Sequence, residues 1–229
     1  MNTWKKMLGV AVVTAAPFAA SAAEISGNVT MATDYVFRGY SQTSEKGAIQ
    51  GGFDVDFGNG FYVGTWASNV DFGSEVTTEM DFYGGYAFDV AEGVGLDLGV
   101  VHFMYPGDEA ALNYQEYIAS VSVSDFSFGL VYSPDYLGDG NGDATVINLD
   151  YSMSVAEDVS LDFHVGQTTT DEDGLVDDDD SYIDYMIGAN YDVADVTLTL
   201  AYYGTDVDND AAADGAADDR FVFSISKSL

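Results

Sequence analysis

From residue 25 onward the chain alternates apolar and polar positions with a period of two. Ile25, Gly27, Val29 and Met31 fall on one face of an extended strand, with Ser26, Asn28, Thr30 and Asp34 on the other. Ile49, Phe53, Val55 and Phe57 repeat the pattern against Gln50, Asp54 and Asp56, and Gly58-Asn59-Gly60 then supplies the positive-φ residues of a tight hairpin. The same pattern predicts strands near residues 24–37, 47–57, 61–72, 77–88, 94–104, 112–123, 126–133, 144–154, 159–169, 181–191, 195–203 and 220–229, about twelve in all. Aromatic and β-branched residues crowd one face of most of them, as in Trp66, Val70 and Phe72, or Phe126, Phe128, Leu130 and Tyr132. Helical spacing fits none of them well.

A soluble β-sandwich would alternate too, so the connections decide. Short turns lie near residues 58–60, 89–93, 124–125, 156–158 and 192–194, with longer polar loops between them. Short turns at one end and long loops at the other are the asymmetry of a bacterial outer-membrane barrel with an even strand number. The predicted fold class is therefore all-β: an antiparallel up-and-down transmembrane β-barrel of about 12 strands, with both termini in the periplasm and six loops outside. Phe221, Phe223, Ile225 and Leu229 share a face at the C-terminus, the kind of end that barrel-assembly machinery reads. Leu229 replaces the more usual Phe, and Lys227 interrupts the outward row, where it can snorkel to an interface. Several of the 16 tyrosines lie near strand ends, namely Tyr35, Tyr62, Tyr105, Tyr132, Tyr136, Tyr182 and Tyr202, and are expected in interfacial girdles.

The N-terminus sets the compartment. Lys5 and Lys6 precede an apolar run from Met7 to Ala20, and Ala20-Ser21-Ala22 offers a small-x-small cleavage site. Residues 1–23 are expected to be a signal peptide and 24–229 the barrel domain; the run is shorter than the roughly twenty residues a bilayer anchor needs. No later window approaches eighteen consecutive apolar residues. The formal charge of −33 falls to about −35 once Lys5 and Lys6 leave, with Arg38, Lys46, Arg220 and Lys227 the remaining basic residues. Such a chain excludes nucleic acid and anionic lipid as electrostatic partners and favours cations. It contains no cysteine, so hydrogen-bonded strands carry its stability.

Asp34-Tyr35-Val36-Phe37-Arg38-Gly39, Ala48-Ile49-Gln50-Gly51-Gly52-Phe53, Gly60-Phe61-Tyr62-Val63-Gly64 and Ser68-Asn69-Val70-Asp71-Phe72 together resemble the TorF family of bacterial porins. Tyr105-Pro106-Gly107, Tyr132-Ser133-Pro134-Asp135-Tyr136 and the closing Ser224-Ile225-Ser226-Lys227-Ser228-Leu229 extend the resemblance over nearly the whole exported chain. It implies an outer-membrane barrel and transfers no catalytic residue. The acidic stretches at 171–180 and 206–219 are longer than the family pattern requires.

If the apolar faces point to lipid, the opposite faces line a lumen with Asp34, Arg38, Gln50, Asp54, Asp56, Glu79, Asp81, Asp97, Glu116, Asp150, Asp162, His164 and Asp184. Carboxylates in a low-dielectric frame concentrate counter-ions, which predicts a cation-preferring channel for small hydrophilic solutes. The structural reading of the same groups is hydrated or hydrogen-bonded filling of a closed barrel. Arg38 could pair with such carboxylates in bidentate geometry and pin the first loop to the wall.

Asp139-x-Asn141-x-Asp143 and Asp206-x-Asp208-x-Asp210 have the alternate oxygen spacing of calcium loops. Both lack the Gly at position six and the Glu at position twelve, so the expectation is at most weak Ca²⁺ or Mg²⁺ binding, including ions bridging lipopolysaccharide; no cofactor is implied. Enzymatic activity is not expected: only His102 and His164 could be imidazole bases, and although Asp162 shares a face with His164, no serine stands in a nucleophile context. The rival to a channel is a non-conducting barrel whose acidic outer loops bind divalent cations, surfaces or partner proteins.

Overall fold

Alternation over stretches of about nine to fourteen residues lets each segment be polar on one side and apolar on the other, and only strand pairing then satisfies its backbone. The computed structural model describes residues 23–107, 112–171, 180–207 and 215–229. Among these the strands are β1 (Glu24–Ala32), β2 (Val36–Phe37), β3 (Tyr40–Ser41), β4 (Ala48–Asp56), β5 (Phe61–Asn69), β6 (Thr78–Ala91) and β7 (Val94–Met104). They continue with β8 (Tyr114–Val123), β9 (Phe126–Ser133), β10 (Ala144–Ala156), β11 (Val159–Thr170), β12 (Ser181–Val193), β13 (Val196–Thr205) and β14 (Arg220–Ser228). Strands β1 and β4 to β14 pair antiparallel in chain order, and β1 closes the barrel on β14. Each of the twelve predicted strands has its counterpart in this wall.

Both β1 and β14 have their outer ends at the short-turn rim, where Glu24 pairs with Asp56 and Asn28 with Ser228. Residues 1–22 of the expected 1–23 signal peptide lie outside the described residues. Ile25, Met31, Ile49, Phe53, Phe61, Phe128, Leu130, Ile147, Ile187, Leu200 and Phe221 are exposed on the outside. A continuous apolar exterior on a closed barrel is the surface that a lipid bilayer covers. At the short-turn end it carries packed aromatics, Phe61 with Tyr86 and Phe126 with Tyr151.

Two expectations are corrected. The alternation predicts a first strand to residue 37, but β1 stops at Ala32, and residues 33–47 turn into the barrel as loop 1, which contains the β2–β3 hairpin. The turn is local chemistry: the Asp34 carboxylate accepts from the Ser41 and Thr43 hydroxyls at 2.7 Å each, and Gln42 N–H donates to the Tyr35 carbonyl. The assignment of Trp66 and Val70 to an outward apolar face also fails. Trp66 pairs across β6 with inward-facing Asp81 and packs on Tyr35, and Val70 is buried with Val76, Val101, Phe103, Tyr105, Tyr114, Tyr136 and Ala144 inside the long-loop half. This barrel has an apolar core of its own because loop 1 needs something to pack against.

The tyrosine girdle is corrected in part. Tyr132 and Tyr202 lie on the outside, donating to Asp143 and Asp219 at the long-loop rim. Tyr35, Tyr62, Tyr105, Tyr136 and Tyr182 are interior instead, where carboxylates and carbonyls engage several of their hydroxyls.

Candidate functional site: the lumen and loop 1

Loop 1 leaves the wall between β1 and β4 and crosses to the far side. Phe37 packs edge-on against Phe103 of β7, and Tyr40 against Tyr182 of β12. At its tip, Arg38 Nη1 and Nη2 donate to Glu116 Oε1 and Oε2 of β8 at 2.6 and 2.9 Å. This fork is nearly dry, the Arg38 side chain being 8 % exposed and that of Glu116 1 %. The guanidinium lies 4.6 Å from the Phe37 ring centroid and 5.5 Å from that of Tyr136. Burial, the largest single influence, would lower the Arg38 pKa, but the Glu116 charge, the neighbouring Tyr136 and the hydrogen bonds to Glu116 together outweigh it, so the value is raised and the group stays a cation.

The loop's base is held the same way. Arg220 of β14 donates through Nη1 to Asp34 at 3.0 Å and through Nη2 to the Gly215 and Ala216 carbonyls. Charge alone marks Arg220 only as a basic residue, yet its inward face is readable in the sequence: Phe221, Phe223 and Ile225 point out, so 220 points in. The Tyr35 hydroxyl donates to Glu79 of β6 at 2.8 Å, and Tyr105 to the other oxygen at 2.6 Å. Burial, followed by the charges of Glu79 and Asp81, pushes the Tyr35 hydroxyl well above its ordinary pKa, so it remains a donor.

Below loop 1 the wall is acidic from several sides. Asp54 accepts from Tyr83 at 2.5 Å, and Asp97 from Tyr62 at 2.9 Å. Asp162 accepts from Ser152 and Asn190. His164 Nδ1 meets Asp150 at 2.7 Å and its Nε2 meets Asp184 at 3.1 Å, so the imidazole bridges three adjacent strands and Asp162 is not its partner. Among the described residues Asp81 Oδ1 and Asp184 Oδ2 are buried without a hydrogen-bond partner. Gln50 faces inward opposite Ser68 of β5, whereas Asp56 is exposed at the short-turn rim, where it accepts from the Gly58 N–H. His102 faces outward opposite Phe82.

The two acidic loop motifs are used otherwise in part. Asp143 accepts from Tyr132, Asn141 N–H donates to Asp135, and Asp139 takes a left-handed turn conformation with φ 60°. Asp206 accepts from the Ile183 N–H, while Asp208 and Asp210 lie outside the described residues. Among the described residues no group of three or more His, Cys, Asp or Glu side chains is placed to hold a metal ion.

A closed barrel with an inward loop and a carboxylate wall is matched by a family model that covers residues 16–229 and is described as a bacterial protein of unknown function, Gcw_chp. The chain belongs to the Gcw_chp family. No curated protein matches this Gcw_chp member. Its fold is that of outer-membrane porins. The NanC porin superposes with a TM-score of 0.59 at 11 % identity, covering 87 % of this chain and 97 % of its own. The KdgM porin, solved in complex with disordered oligogalacturonate, gives 0.55 at 10 % identity over 90 % of this chain and 97 % of its own. An outer-membrane channel from Pseudomonas putida F1 gives 0.51 at 13 % identity, over 94 % and 99 %. Identities this low carry the fold and no shared ligand.

Proposed function

We propose that the protein is an outer-membrane channel for passive diffusion of small hydrophilic solutes, with a preference for cations. One observation carries this reading: Asp54, Asp97, Asp150, Asp162 and Asp184 face the lumen from five different strands, with one imidazole, His164, shared between Asp150 and Asp184, while the interior guanidiniums of Arg38 and Arg220 are each already paired with a carboxylate. Fixed charges of one sign in a narrow low-dielectric passage concentrate ions of the other. The resemblance to TorF porins points the same way, as does the fold shared with NanC and KdgM. Oligogalacturonate, named with KdgM, is polyanionic, and a wall of carboxylates is a poor match for it. The reading is one of passage without catalysis, since both nitrogens of His164 face carboxylates and leave none to act as a base. It includes export through a cleaved leader, handling by barrel-assembly machinery, and contact of the acidic rim with lipopolysaccharide through weakly held divalent ions.

The test is single-channel recording of the refolded protein in planar bilayers under a KCl gradient. Stable steps with a cation-sided reversal potential are expected, and Asp54→Asn with Asp150→Asn should move the reversal potential toward zero. Silence from a correctly folded barrel would sink the channel reading and move attention to the acidic outer loops as binding surfaces.

A further inference from the structure

We propose that Arg38 determines both the bore and the ion preference of the lumen, by holding loop 1 across it against Glu116. The proposal rests on the channel reading above. Around the ring β8 lies nearly opposite the β1–β4 pair from which loop 1 departs, so the fork joins opposite sides of the barrel. A bidentate, desolvated guanidinium–carboxylate pair has one good geometry and therefore fixes position as well as charge.

The backbone at the tip is committed to the same placement. Arg38 has φ 48°, in the left-handed region that non-glycine residues rarely adopt, and its carbonyl accepts from the Tyr182 hydroxyl at 3.0 Å. Gly39 follows at φ 84°, packed so closely on Thr205 of β13 that a Cβ would collide with that side chain. Loop 1 thus touches β5, β6, β7, β8, β12 and β13, which leaves permeating ions only the space beside it. Arg38 also cancels the charge of Glu116 in the wall beside that space. Releasing the fork widens the path, and removing the guanidinium alone makes it more negative; the two effects are separable.

Two variants separate them, each first shown by heat-modifiable migration and circular dichroism to be folded. Arg38→Gln leaves Glu116 unpaired and is expected to raise conductance and move the reversal potential further to the cation side. Arg38→Gln with Glu116→Gln removes the charged fork and restores the charge balance; conductance should rise severalfold with the wild-type reversal potential.

A third measurement uses the absence of cysteine. Ser41 N–H donates to the Ala216 carbonyl at 2.8 Å, so Ser41→Cys with Ala216→Cys, placed in the Arg38→Gln/Glu116→Gln background, offers a single disulfide that ties loop 1 down. Conductance near wild type when oxidised, rising on reduction, supports the proposal. Wild-type conductance in the double-Gln variant, with no change on reduction of the cross-linked form, overturns it while the channel reading stands. Silence from every folded form, wild type included, overturns both.

Discussion

Two tyrosines cross the strands diagonally, and glycines make room for them. The Tyr62 hydroxyl reaches Asp97 by passing over Gly85, its direct neighbour on β6, where any Cβ would collide with the phenolic oxygen; Tyr83 passes over Gly64 to Asp54 in the same way. Gly85→Ala should therefore overpack the lumen and cost about 1–3 kcal/mol, measurable by urea unfolding in micelles followed by tryptophan fluorescence. At the long-loop rim, Lys46 donates to Asp71 at 2.5 Å on the surface. That hydrogen bond, followed by the Gly73 N–H and the ammonium charge, holds the Asp71 carboxyl below its ordinary pKa. A depressed folded-state pKa means that the pair's contribution is present above the unfolded value and is lost as pH falls through the folded one. In Lys46→Met the Asp71 titration midpoint, followed by NMR, should move up toward the ordinary carboxylate value.

Among the elements, the closing seam is the weakest joint of the wall. Strand β1 pairs with β14 over five residue positions, Asn28 to Ala32, but with β4 over nine, Glu24 to Ala32. The Thr30 and Ser226 hydroxyls add a lumen-side bond of 2.9 Å at the seam. Because β1 is paired on both sides there, Thr30→Pro must remove a ladder donor whichever neighbour receives it. This variant should fail to reach the compact, heat-modifiable form on refolding, whereas Thr30→Val, which loses only the hydroxyl bond, should reach it.

Across the whole molecule, a formal charge of −33 is held on 229 residues, with carboxylates inside the barrel and around the long-loop rim. Self-repulsion of this kind opposes closure and is relieved by counter-ions, since the Debye length shortens from roughly 30 Å at 0.01 M salt to 10 Å at 0.1 M. The thermal midpoint of the micelle-bound barrel should rise between those two salt concentrations. An unchanged midpoint would mean that hydrogen bonds and the two internal arginines already compensate the acidic groups.

The strands were legible in the sequence because a period of two is a local property: each residue's face follows from its neighbours, and Gly58-Asn59-Gly60 marks its turn without reference to anything distant. The inward direction of Asp54, Glu79, Asp81, Glu116, Asp150 and Asp184 followed from the same parity. Tertiary structure alone decided where the alternation ends and what the lumen contains. Val36 and Phe37 continue an acceptable strand pattern, yet Arg38 finds its partner 78 positions away on Glu116, and Arg220 meets Asp34 186 positions away, so the loop turns inward. Tyrosine was ambiguous for the same reason: its ring suits either an interface or a core, and a carboxylate on another strand selects between them. Local pattern specified a wall, while pairings across the barrel placed loop 1 within it.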